Sequence, residues 1–557
     1  MKRSITMSPL VCALLTSACA SAPPLVPPVR FVNAAPVTAV NDRLDVPTQP
    51  AGRDFYQNLY HYDAVLHRPL VRAFELRPHR RALGTNALDE VPDSTWFTNR
   101  IGAHELTTEQ LVAGPVTIDS PELHKPWTIE STKSGTSDFG FIITDARGLK
   151  FIIKFDAPKF PEQETATHVI VDRLLWACGF NVTEDWIVHL SADDLVIAPD
   201  ATMASDLGDK QPLTRAYVER RMATLERDGD GRFRALASRW LDGKTVGGHP
   251  SEGVRDDDPN DRIPHELRRD LRGAYAIFAW LDHVDVQESN FVDAWVQDVS
   301  DPARHYVEHY LIDFGKSMGV MATTGQDPRR GHAYVVDFAD MVQSFAEVGL
   351  VERSWEPRKA PKLRGVGLFE AATYDPGTWK NDYPVYAPFL QSDRFDKFWG
   401  AKILIRFSRA QLHAIVEQAG QLSDPRAVAY VTDTLVARQR ATAAYWFDRV
   451  NPLDHVTLAN GQLCFDDLSL VYGFASPTLT SYRATGYTRD ARPLGVTALH
   501  PDAAGHACAP IALAPDGDGY TMVRIETTRP GFTGATIVHL ARAAGSQAPR
   551  VIGIWRE

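Results

Sequence analysis

The chain has 557 residues and a formal net charge of −11. This length exceeds that of an ordinary single domain and predicts two or three domains. Hydrophobic residues make up 44% and charged residues 23% of the chain, which is normal for a globular protein. The acidic net charge argues against nucleic-acid binding, which favours a basic face, so we expect no nucleic-acid partner.

The N-terminal residues have the composition of an export signal. Two basic residues precede a short apolar stretch at 7–15, and Ser17-Ala18-Cys19 follows. Small residues before a cysteine are typical of a lipoprotein signal. We therefore predict lipidation of Cys19 and a membrane-anchored location in a bacterial cell envelope, at the outer membrane or the periplasmic face. Thr16 departs from the Leu usual at its position. The alternative is cleavage after the small-x-small site Ala18-Cys19-Ala20, which would give a soluble exported protein.

A tether and then a run of strands follow the signal. Residues 20–50 are rich in Pro, Ala and Val, a composition typical of a tether rather than a core. Segments 127–130, 141–144 and 149–155 are rich in β-branched and aromatic residues. Because turn residues separate them, we predict a meander of three strands.

A helix is predicted after the third strand. Pro161 begins it, Glu162 and Glu164 lie in its first turn, and Gly179 ends it after Cys178. Proline at the first helical position and acidic residues near the N-terminus are preferences of helix ends.

The rest of the chain divides into a helical region and a β-rich region. One or two strands are predicted at 186–197, and helices at 264–283 and 409–450. The last hundred residues contain short β-rich runs between Gly, Pro and Asp turns, which predict a β-sandwich or a barrel. These runs are 468–471, 496–499, 520–525, 535–540 and 551–555.

Residues suited to holding a polyphosphate cluster around the predicted strands. The loop 133–140 contains Gly135 and Gly140, whose backbone N–H groups are able to approach phosphate oxygens. Lys154 ends an apolar strand, where a lysine either extends its ammonium group to solvent or holds an anion. Glu164 or Glu162 at the start of the next helix is expected to pair with this lysine, and we prefer Glu164.

Two further motifs lie at the spacing that phosphoryl transfer requires. His283-Val284-Asp285 is followed four residues later by Asn290, and the apolar segment 310–312 leads directly into Asp313-Phe314-Gly315. Asp285 and Asn290 flank one loop, so a carboxylate faces the acceptor hydroxyl while an amide oxygen faces a metal. Asp282 is an alternative carboxylate, but its spacing to Asn290 fits less well.

Together these motifs resemble the protein-kinase-like superfamily. The resemblance is to its atypical bacterial and secreted branches, such as the CotH spore-coat kinases, the HipA kinases and the Golgi kinases of the secretory pathway. It covers residues 125–320 directly and implies a two-lobed fold with ATP in the cleft.

The resemblance also implies a role for each matching position. Lys154 would hold the α- and β-phosphates of ATP, and Glu164 would orient it. Asp285 would be the catalytic base, and Asn290 and Asp313 would bind Mg²⁺. The implied cofactors are ATP and Mg²⁺, and the implied partners are a nucleotide and an unknown protein or small-molecule acceptor.

The chain departs from the family pattern at several places. Val284 replaces the arginine of His-Arg-Asp, the glycine loop lacks the full Gly-x-Gly-x-x-Gly, and no Ala-Pro-Glu follows Asp313. Lys154 and Glu164 are also close together in sequence. These departures exclude a typical eukaryotic Ser/Thr kinase and leave an atypical one.

Two other features have alternative interpretations. Cys464 and Cys508 form a disulfide in an oxidising envelope, or they and Cys178 are three buried thiols. The acidic run 256–261 binds calcium or a basic substrate, or it is a solvated loop that caps the next helix; we favour the capping loop.

We therefore predict the α+β fold class, with a two-lobed protein-kinase-like fold and a C-terminal β-sandwich-like domain. The predicted function is an atypical kinase-like phosphotransferase that uses Mg-ATP to modify a hydroxyl group in the cell envelope. The alternative is a non-catalytic envelope lipoprotein in which the kinase fold is a scaffold or binding module. The predicted segments are a signal peptide at 1–19, a tether at 20–50, an N-terminal extension at 51–124, an N-lobe at 125–200, a C-lobe at 201–453 and a β-rich domain at 454–557.

Overall fold

The computed structural model contains two compact units. It describes residues 29–53, 57–74, 79–133, 139–204, 210–321, 326–543, 545 and 548–557. The larger unit comprises Val37–Pro452 and Tyr472–Phe474, and the smaller unit comprises Leu453–Val471 and Ala475–Glu557 together with residues 29–36. Both helices and sheets are extensive, so the predicted α+β fold class is confirmed. Gly135 and Cys19, two residues with predicted roles, lie outside the described residues.

A seven-stranded sheet dominates the first part of the larger unit. Its strands are β1 Trp127–Thr132, β2 Gly140–Thr144, β3 Lys150–Lys154, β4 Asp185–Leu190, β5 Leu195–Ala204, β6 Lys210–Pro212 and β7 Phe233–Arg239. They lie in the order β4-β7-β3-β2-β1-β5-β6. Neighbouring strands are antiparallel except β1 and β5, which are parallel. The predicted meander is therefore present as β1–β3.

Alternation of side chains explains why β1–β3 form a sheet with a buried face. Alternate residues along each strand are fully buried, as expected for a period of two. They are Trp127, Ile129, Phe141, Ile143, Phe151 and Ile153. Val218 and Met222 of the helix that follows β6 pack into the same core.

The second part of the larger unit is mainly helical. Its three-stranded sheet has the order β10-β9-β8, with β8 Lys244–Gly248, β9 Phe291–Gln297 and β10 His305–Leu311. The helices of the whole unit are α1 Gln57–Tyr62, α2 Arg68–Ala73, α3 Thr108–Ala113, α4 Gln163–Cys178, α5 Arg215–Met222, α6 Arg269–Leu281, α7 Phe338–Glu347, α8 Ala387–Gln391, α9 Arg394–Leu404, α10 Arg409–Ala414 and α11 Pro425–Phe447. No helix among the described residues is both long enough and apolar enough to cross a membrane.

Helices α4 and α11 begin later in the chain than the sequence predicts. Helix α4 begins at Gln163 rather than at Pro161, because Glu162 adopts a left-handed conformation with φ 66°. The side chain of Glu162 accepts hydrogen bonds from Arg364 Nε (2.6 Å) and Ser423 N (2.9 Å). The long helix predicted at 409–450 is interrupted, and α11 starts at Pro425 after the Asp424 cap.

The smaller unit contains two antiparallel sheets. One has the order β11-β12-β15 and the other β14-β13-β16-β17-β18. Apolar side chains from both sheets, including Phe465 and Ile525, form one core. The elements are β11 Leu453–Ala459, β12 Gln462–Asp467, α12 Leu468–Val471, β13 Ser481–Thr488, β14 Pro493–Leu499, β15 His506–Pro510, β16 Thr521–Arg529, β17 Phe532–Arg542 and β18 Pro549–Arg556.

Two sequence-level questions about the smaller unit have clear answers in the structure. Cys464 and Cys508 are directly opposite on β12 and β15 and are joined by a disulfide, while Cys178 is a buried free thiol. The strand predicted at 468–471 is wrong, since this run is the short helix α12. A four-residue apolar run does not distinguish a strand from a helix, and Asp467 Oδ1 accepts a hydrogen bond from Ser469 N (3.0 Å) at the start of the turn.

Candidate active site

The hairpin β9–β10 brings two of the sequence motifs to the same place. Its strands pair without interruption, with Phe291 opposite Leu311 at one end. Asn290 immediately precedes β9 and Asp313 shortly follows β10, so both lie at this end. Ile312 N donates a hydrogen bond to the carbonyl of Asn290 (3.0 Å), which fixes the two segments side by side.

Lys154 reaches this end of the hairpin from the seven-stranded sheet. It is the last residue of β3, its side chain is 7% exposed, and its Nζ donates to Asp313 Oδ1 (2.6 Å). A buried ammonium group needs a charged partner to offset its desolvation. Of the two sequence interpretations, extension to solvent is therefore the wrong one, and the lysine is held inside the cleft.

Asp313 has an unusual backbone conformation and a strongly stabilised negative charge. Its φ is 64°, which is uncommon for a residue other than glycine. Burial favours the neutral carboxyl, but the positive charges of Lys154 and Lys133 and the hydrogen bond from Lys154 outweigh it and hold the pKa of Asp313 well below its usual range.

The residues after Asp313 pack tightly against the sheet side of the cleft. Phe314 is fully buried, between the rings of His168 and His283. A Cβ added at Gly315 would lie 2.7 Å from Cγ and 2.9 Å from Oε1 of Glu164. The side chain of Glu164, itself buried, thus occupies the space that any residue larger than glycine would need.

The two glutamates at the start of α4 have different surroundings. Glu164 faces the Asp313–Gly315 segment, whereas Glu162 is engaged by Arg364 and Ser423. Of these two candidates, Glu164 is the one that lies against Gly315, and its pairing with Lys154 stays a prediction.

Asp285 lies in the loop between α6 and β9 with both carboxylate oxygens engaged. Its Oδ2 accepts from Lys316 Nζ (2.9 Å) and its Oδ1 from Gln287 Nε2 (2.9 Å). Asn290 Nδ2 donates to the carbonyl of Asp285 (2.9 Å), which directs the amide oxygen of Asn290 the other way. The carboxylate and the amide are thus held in fixed orientations in one loop.

Asp282, the alternative carboxylate, has a structural role. It ends α6 in a left-handed conformation, and its Oδ1 accepts from Trp379 Nε1 (2.9 Å). Arg438 lies 3.5 Å from the same oxygen. The neighbouring His283 is also inward, since its Nδ1 is 2.8 Å from Ser317 Oγ and burial lowers its pKa to about 4.

Three charged residues of the cleft were not identified from the sequence. Lys133 is the first residue of the glycine loop and Lys316 directly follows Gly315, so their positions in or beside the motifs are the signal that could have identified them. Asp382 has no such signal, because it comes from a distant loop, where its N–H donates to the Val284 carbonyl (2.9 Å). Burial raises the pKa of Asp382 to about 6, against the effect of Arg330.

The glycine loop is described only at its edges. Gly140 pairs with Lys154 across β2 and β3, and a Cβ there would lie 2.3 Å from the carbonyl oxygen of Ile153. The close approach of the two strands beside Lys154 therefore requires glycine.

Comparisons with known proteins give distant structural similarities. No protein-family model and no curated protein matches the chain. The chain is similar to the Golgi casein kinase with Mn/ADP bound, at 10% identity and a TM-score of 0.27, covering 61% of this chain and 73% of that one. A second structure of the Golgi casein kinase is similar at 10% identity and a TM-score of 0.26, covering 61% of this chain and 72% of that one. The Rio2 kinase-ADP/Mg²⁺-phosphoaspartate complex from Chaetomium thermophilum is similar at 13% identity and a TM-score of 0.19, covering 53% of this chain and 73% of that one. The interpretation of the site therefore rests on the geometry of this chain.

Proposed function

We propose that the larger unit is an atypical kinase-like phosphotransferase. It would use Mg-ATP to modify a hydroxyl group on a protein or a small-molecule acceptor in the cell envelope. The observation that carries the proposal is the ion pair between Lys154 and Asp313, at 2.6 Å. Lys154 and Asp313 are separated by 159 positions in the sequence. The hydrogen bond from Ile312 N to the Asn290 carbonyl brings the loop that contains Asp285 and Asn290 to the same place.

The charge of the cleft suits an anionic polyphosphate. Lys154 and Lys133 both act on Asp313 electrostatically, and Lys316 acts on Asp313 and Asp285. Burial lowers the pKa of Lys316, but Asp285, Asp313 and Asp382 outweigh it and raise that pKa, so the ammonium stays charged. Three ammonium groups around a buried cleft give a site for phosphate oxygens.

The oxygen donors of the cleft fit Mg²⁺. Asp313 offers a carboxylate and Asn290 an amide oxygen, which are the hard ligands that this ion takes beside phosphate oxygens. A bound Mg²⁺ would neutralise the charge that develops on the transferred group. Asp313 is kept ionised by Lys154, and so it is ready to act as a ligand at neutral pH.

Asp285 is suited to receive the proton of an acceptor hydroxyl. Its carboxylate is oriented by Lys316 and Gln287, and it belongs to the same loop as Asn290. General-base catalysis of this kind requires a positioned carboxylate within hydrogen-bond reach of the acceptor. The fixed loop supplies the positioning.

Thermal denaturation with Mg²⁺ plus ATP tests the nucleotide site. Ligand at 100 times its dissociation constant should stabilise the wild-type protein by about 2.7 kcal/mol. We expect Asp313→Ala and Lys154→Ala to lose this stabilisation. Lys244→Ala, at an exposed position of β8, is the matched control and should keep it. The absence of any shift in the wild type would contradict the proposal.

A second assay separates the phosphotransferase from a non-catalytic binding module. ADP formation is measured with an envelope extract as the source of acceptor, for the wild type and for Asp285→Asn. We expect the wild type to turn over, and the variant to keep its thermal shift while losing roughly two to four orders of magnitude in rate. A wild-type protein that binds Mg-ATP without turnover in any extract would favour the scaffold alternative.

A further inference from the structure

Three buried side chains form a cluster on the second sheet, away from the residues of the proposed nucleotide site. His249 follows β8, Asp293 lies in β9 and His309 lies in β10. All three are at least 96% buried, and one ligand atom from each lies within 4.8 Å of the other two. We propose that His249, Asp293 and His309 bind one divalent transition-metal ion, with zinc as the favoured ion.

The distances in the cluster are close to those of a metal site. His249 Nδ1 lies 3.4 Å from Asp293 Oδ1, and His309 Nδ1 lies 2.7 Å from the same oxygen. A tetrahedral ion with bonds of about 2.0–2.1 Å separates its ligand atoms by roughly 3.4 Å. The pair formed by His249 and Asp293 already has this spacing. The pair formed by His309 and Asp293 is a hydrogen bond that would open as the ion enters.

His249 has the property expected of a ligand. Its Nδ1 faces Asp293 Oδ1, and its Nε2 is buried without a hydrogen-bond partner. Buried polar atoms almost always have a partner, so a buried histidine with an unpartnered ring nitrogen indicates a missing ligand.

The charges around the cluster favour a cation. Asp261 and Asp258 act electrostatically on His309, and Asp293 is the ligand itself. Arg255 is the positive group paired with Asp293, with 3.2 Å from Nη1 to Oδ2. Arg255 also pairs with Asp257, with 2.9 Å from Nε to Oδ1, so the carboxylates around the cluster outnumber this guanidinium. Asp258 and Asp261 of the acidic run 256–261 are buried, so the sequence interpretation as a solvated loop is wrong for these two residues.

A second layer of contacts orients the ligands. The ring of Trp96 stacks on His309 with 3.5 Å between centroids. His265, whose ring is 4.8 Å from that of His249, has both nitrogens engaged, by Pro250 O (2.5 Å) and Asp261 Oδ2 (2.7 Å). The stacking of Trp96 limits rotation of the His309 ring, and the two hydrogen bonds of His265 hold its ring against that of His249.

The ligand set identifies the class of ion and its role. Imidazole nitrogens suit zinc and its neighbours, whereas Mg²⁺ and Ca²⁺ prefer oxygen ligands. The cluster is buried from solvent, so the ion would hold β8, β9 and β10 together. The hairpin β9–β10 also carries Asn290 and Asp313 at its end, and the ion would brace that hairpin.

Metal content and stability of the full chain test the inference. The protein is produced in zinc-supplemented medium, passed through gel filtration in metal-free buffer, and analysed by mass spectrometry for metals. We expect one zinc ion per chain. Removal of the zinc ion with a strong chelator should lower the Tm of the protein. Added Zn²⁺ should restore the Tm, and added Mg²⁺ should not. A chain that holds no zinc, either as purified or after incubation with Zn²⁺, would overturn the inference.

Ligand variants and X-ray absorption locate the ion. His249→Ala and His309→Ala should lose the zinc, while His506→Ala should keep it. His506 is the matched control because it lies beside Cys464 and Cys508, the other cluster of metal-ligand residue types among the described residues, which would offer thiolates if its disulfide were reduced. X-ray absorption of the wild type decides the question even if the variants do not fold. Nitrogen and oxygen neighbours alone support the site, and sulfur neighbours would place the ion at the cysteines and overturn it.

Discussion

At the scale of single residues, opposite charges and one glycine hold the cleft in a defined arrangement. Lys154 pairs with Asp313 and Lys316 pairs with Asp285, so each carboxylate has its own ammonium group. The left-handed backbone of Asp313 costs energy. The ion pair of Asp313 with Lys154 and the burial of the next residue, Phe314, supply the contacts that stabilise this backbone conformation.

The contact between Gly315 and Glu164 predicts a coupled pair of substitutions. Gly315→Ala should lower the free energy of unfolding by about 1–3 kcal/mol, because the added methyl group overlaps the side chain of Glu164. In a Glu164→Ala background the same change should cost clearly less. Chemical denaturation of the four proteins of this cycle measures the coupling.

Gly229→Ala is the control for this cycle, since no atom lies within 4 Å of a Cβ there. It should change the free energy of unfolding by a few tenths of a kcal/mol. Additive effects of Gly315→Ala and Glu164→Ala would show that the close contact is absent.

His539 predicts a pH dependence in the smaller unit. Burial lowers its pKa from 6.5 to about 4, and Arg30 adds to this effect. The unfolded chain therefore takes up a proton as the pH falls below 6.5, while the folded unit resists until about pH 4. The stabilising contribution is complete above pH 6.5 and is lost as the pH falls, by up to about 3 kcal/mol.

Hydrogen exchange of β16 and β17, followed between pH 7 and pH 4, measures this loss. His539→Gln should flatten the profile, because a neutral amide does not titrate. Tyr520, whose hydroxyl lies 2.9 Å from His539 Nδ1, stays neutral over this range. An unchanged profile in the variant would assign the acid sensitivity to other groups.

At the scale of elements, the end of α6 fixes where the proposed catalytic loop begins. Arg438 of α11 is buried and donates to the carbonyls of Ala279 (2.6 Å), Trp280 (2.9 Å) and Glu370 (2.9 Å). The last carbonyls of a helix have no partner within it. One guanidinium thus satisfies the end of α6, and Asp282 turns the chain into the loop of Asp285.

Replacement of this arginine tests the importance of the helix end. Arg438→Met keeps most of the apolar volume but leaves the carbonyls and Asp282 buried without their donor. We expect a loss of about 3–5 kcal/mol in the free energy of unfolding. Arg440→Met, two positions further along the same helix at an exposed site, is the control and should change it by less than about 0.5 kcal/mol. Equal losses in both variants would contradict this role.

At the scale of the whole molecule, the two units are stabilised in different ways. The larger unit contains the buried free thiol Cys178, and its core is built from apolar side chains and buried ion pairs. In the smaller unit, the disulfide between Cys464 and Cys508 links the neighbouring strands β12 and β15. The two cysteines are 44 residues apart in the sequence.

The disulfide should stabilise only the smaller unit. In the chain-entropy model a loop of this size contributes about 4 kcal/mol. The double variant Cys464→Ser and Cys508→Ser should therefore lose hydrogen-exchange protection in β12, β15 and β16. Protection of β1–β3 in the larger unit is the internal control and should not change. A loss of protection in both units would show that their folding is coupled.

The sequence by itself determined the features that depend on near neighbours. The β-branched and aromatic segments predicted β1–β3. Turn residues between short β-rich runs predicted most of the strands of the smaller unit. Motif spacing named Lys154, Asp285, Asn290 and Asp313, whose catalytic roles stay a prediction. Lipidation of Cys19 also stays a prediction, since this residue lies outside the described part of the chain.

Only the tertiary structure decided which distant groups meet. It paired Lys154 with Asp313, turned Glu162 towards Arg364, and gathered His249, Asp293 and His309 into one buried cluster. The physical reason is that local patterns set backbone conformation over a few residues. The partner of a buried charge is instead set by desolvation, which is resolved only when segments far apart in sequence pack together.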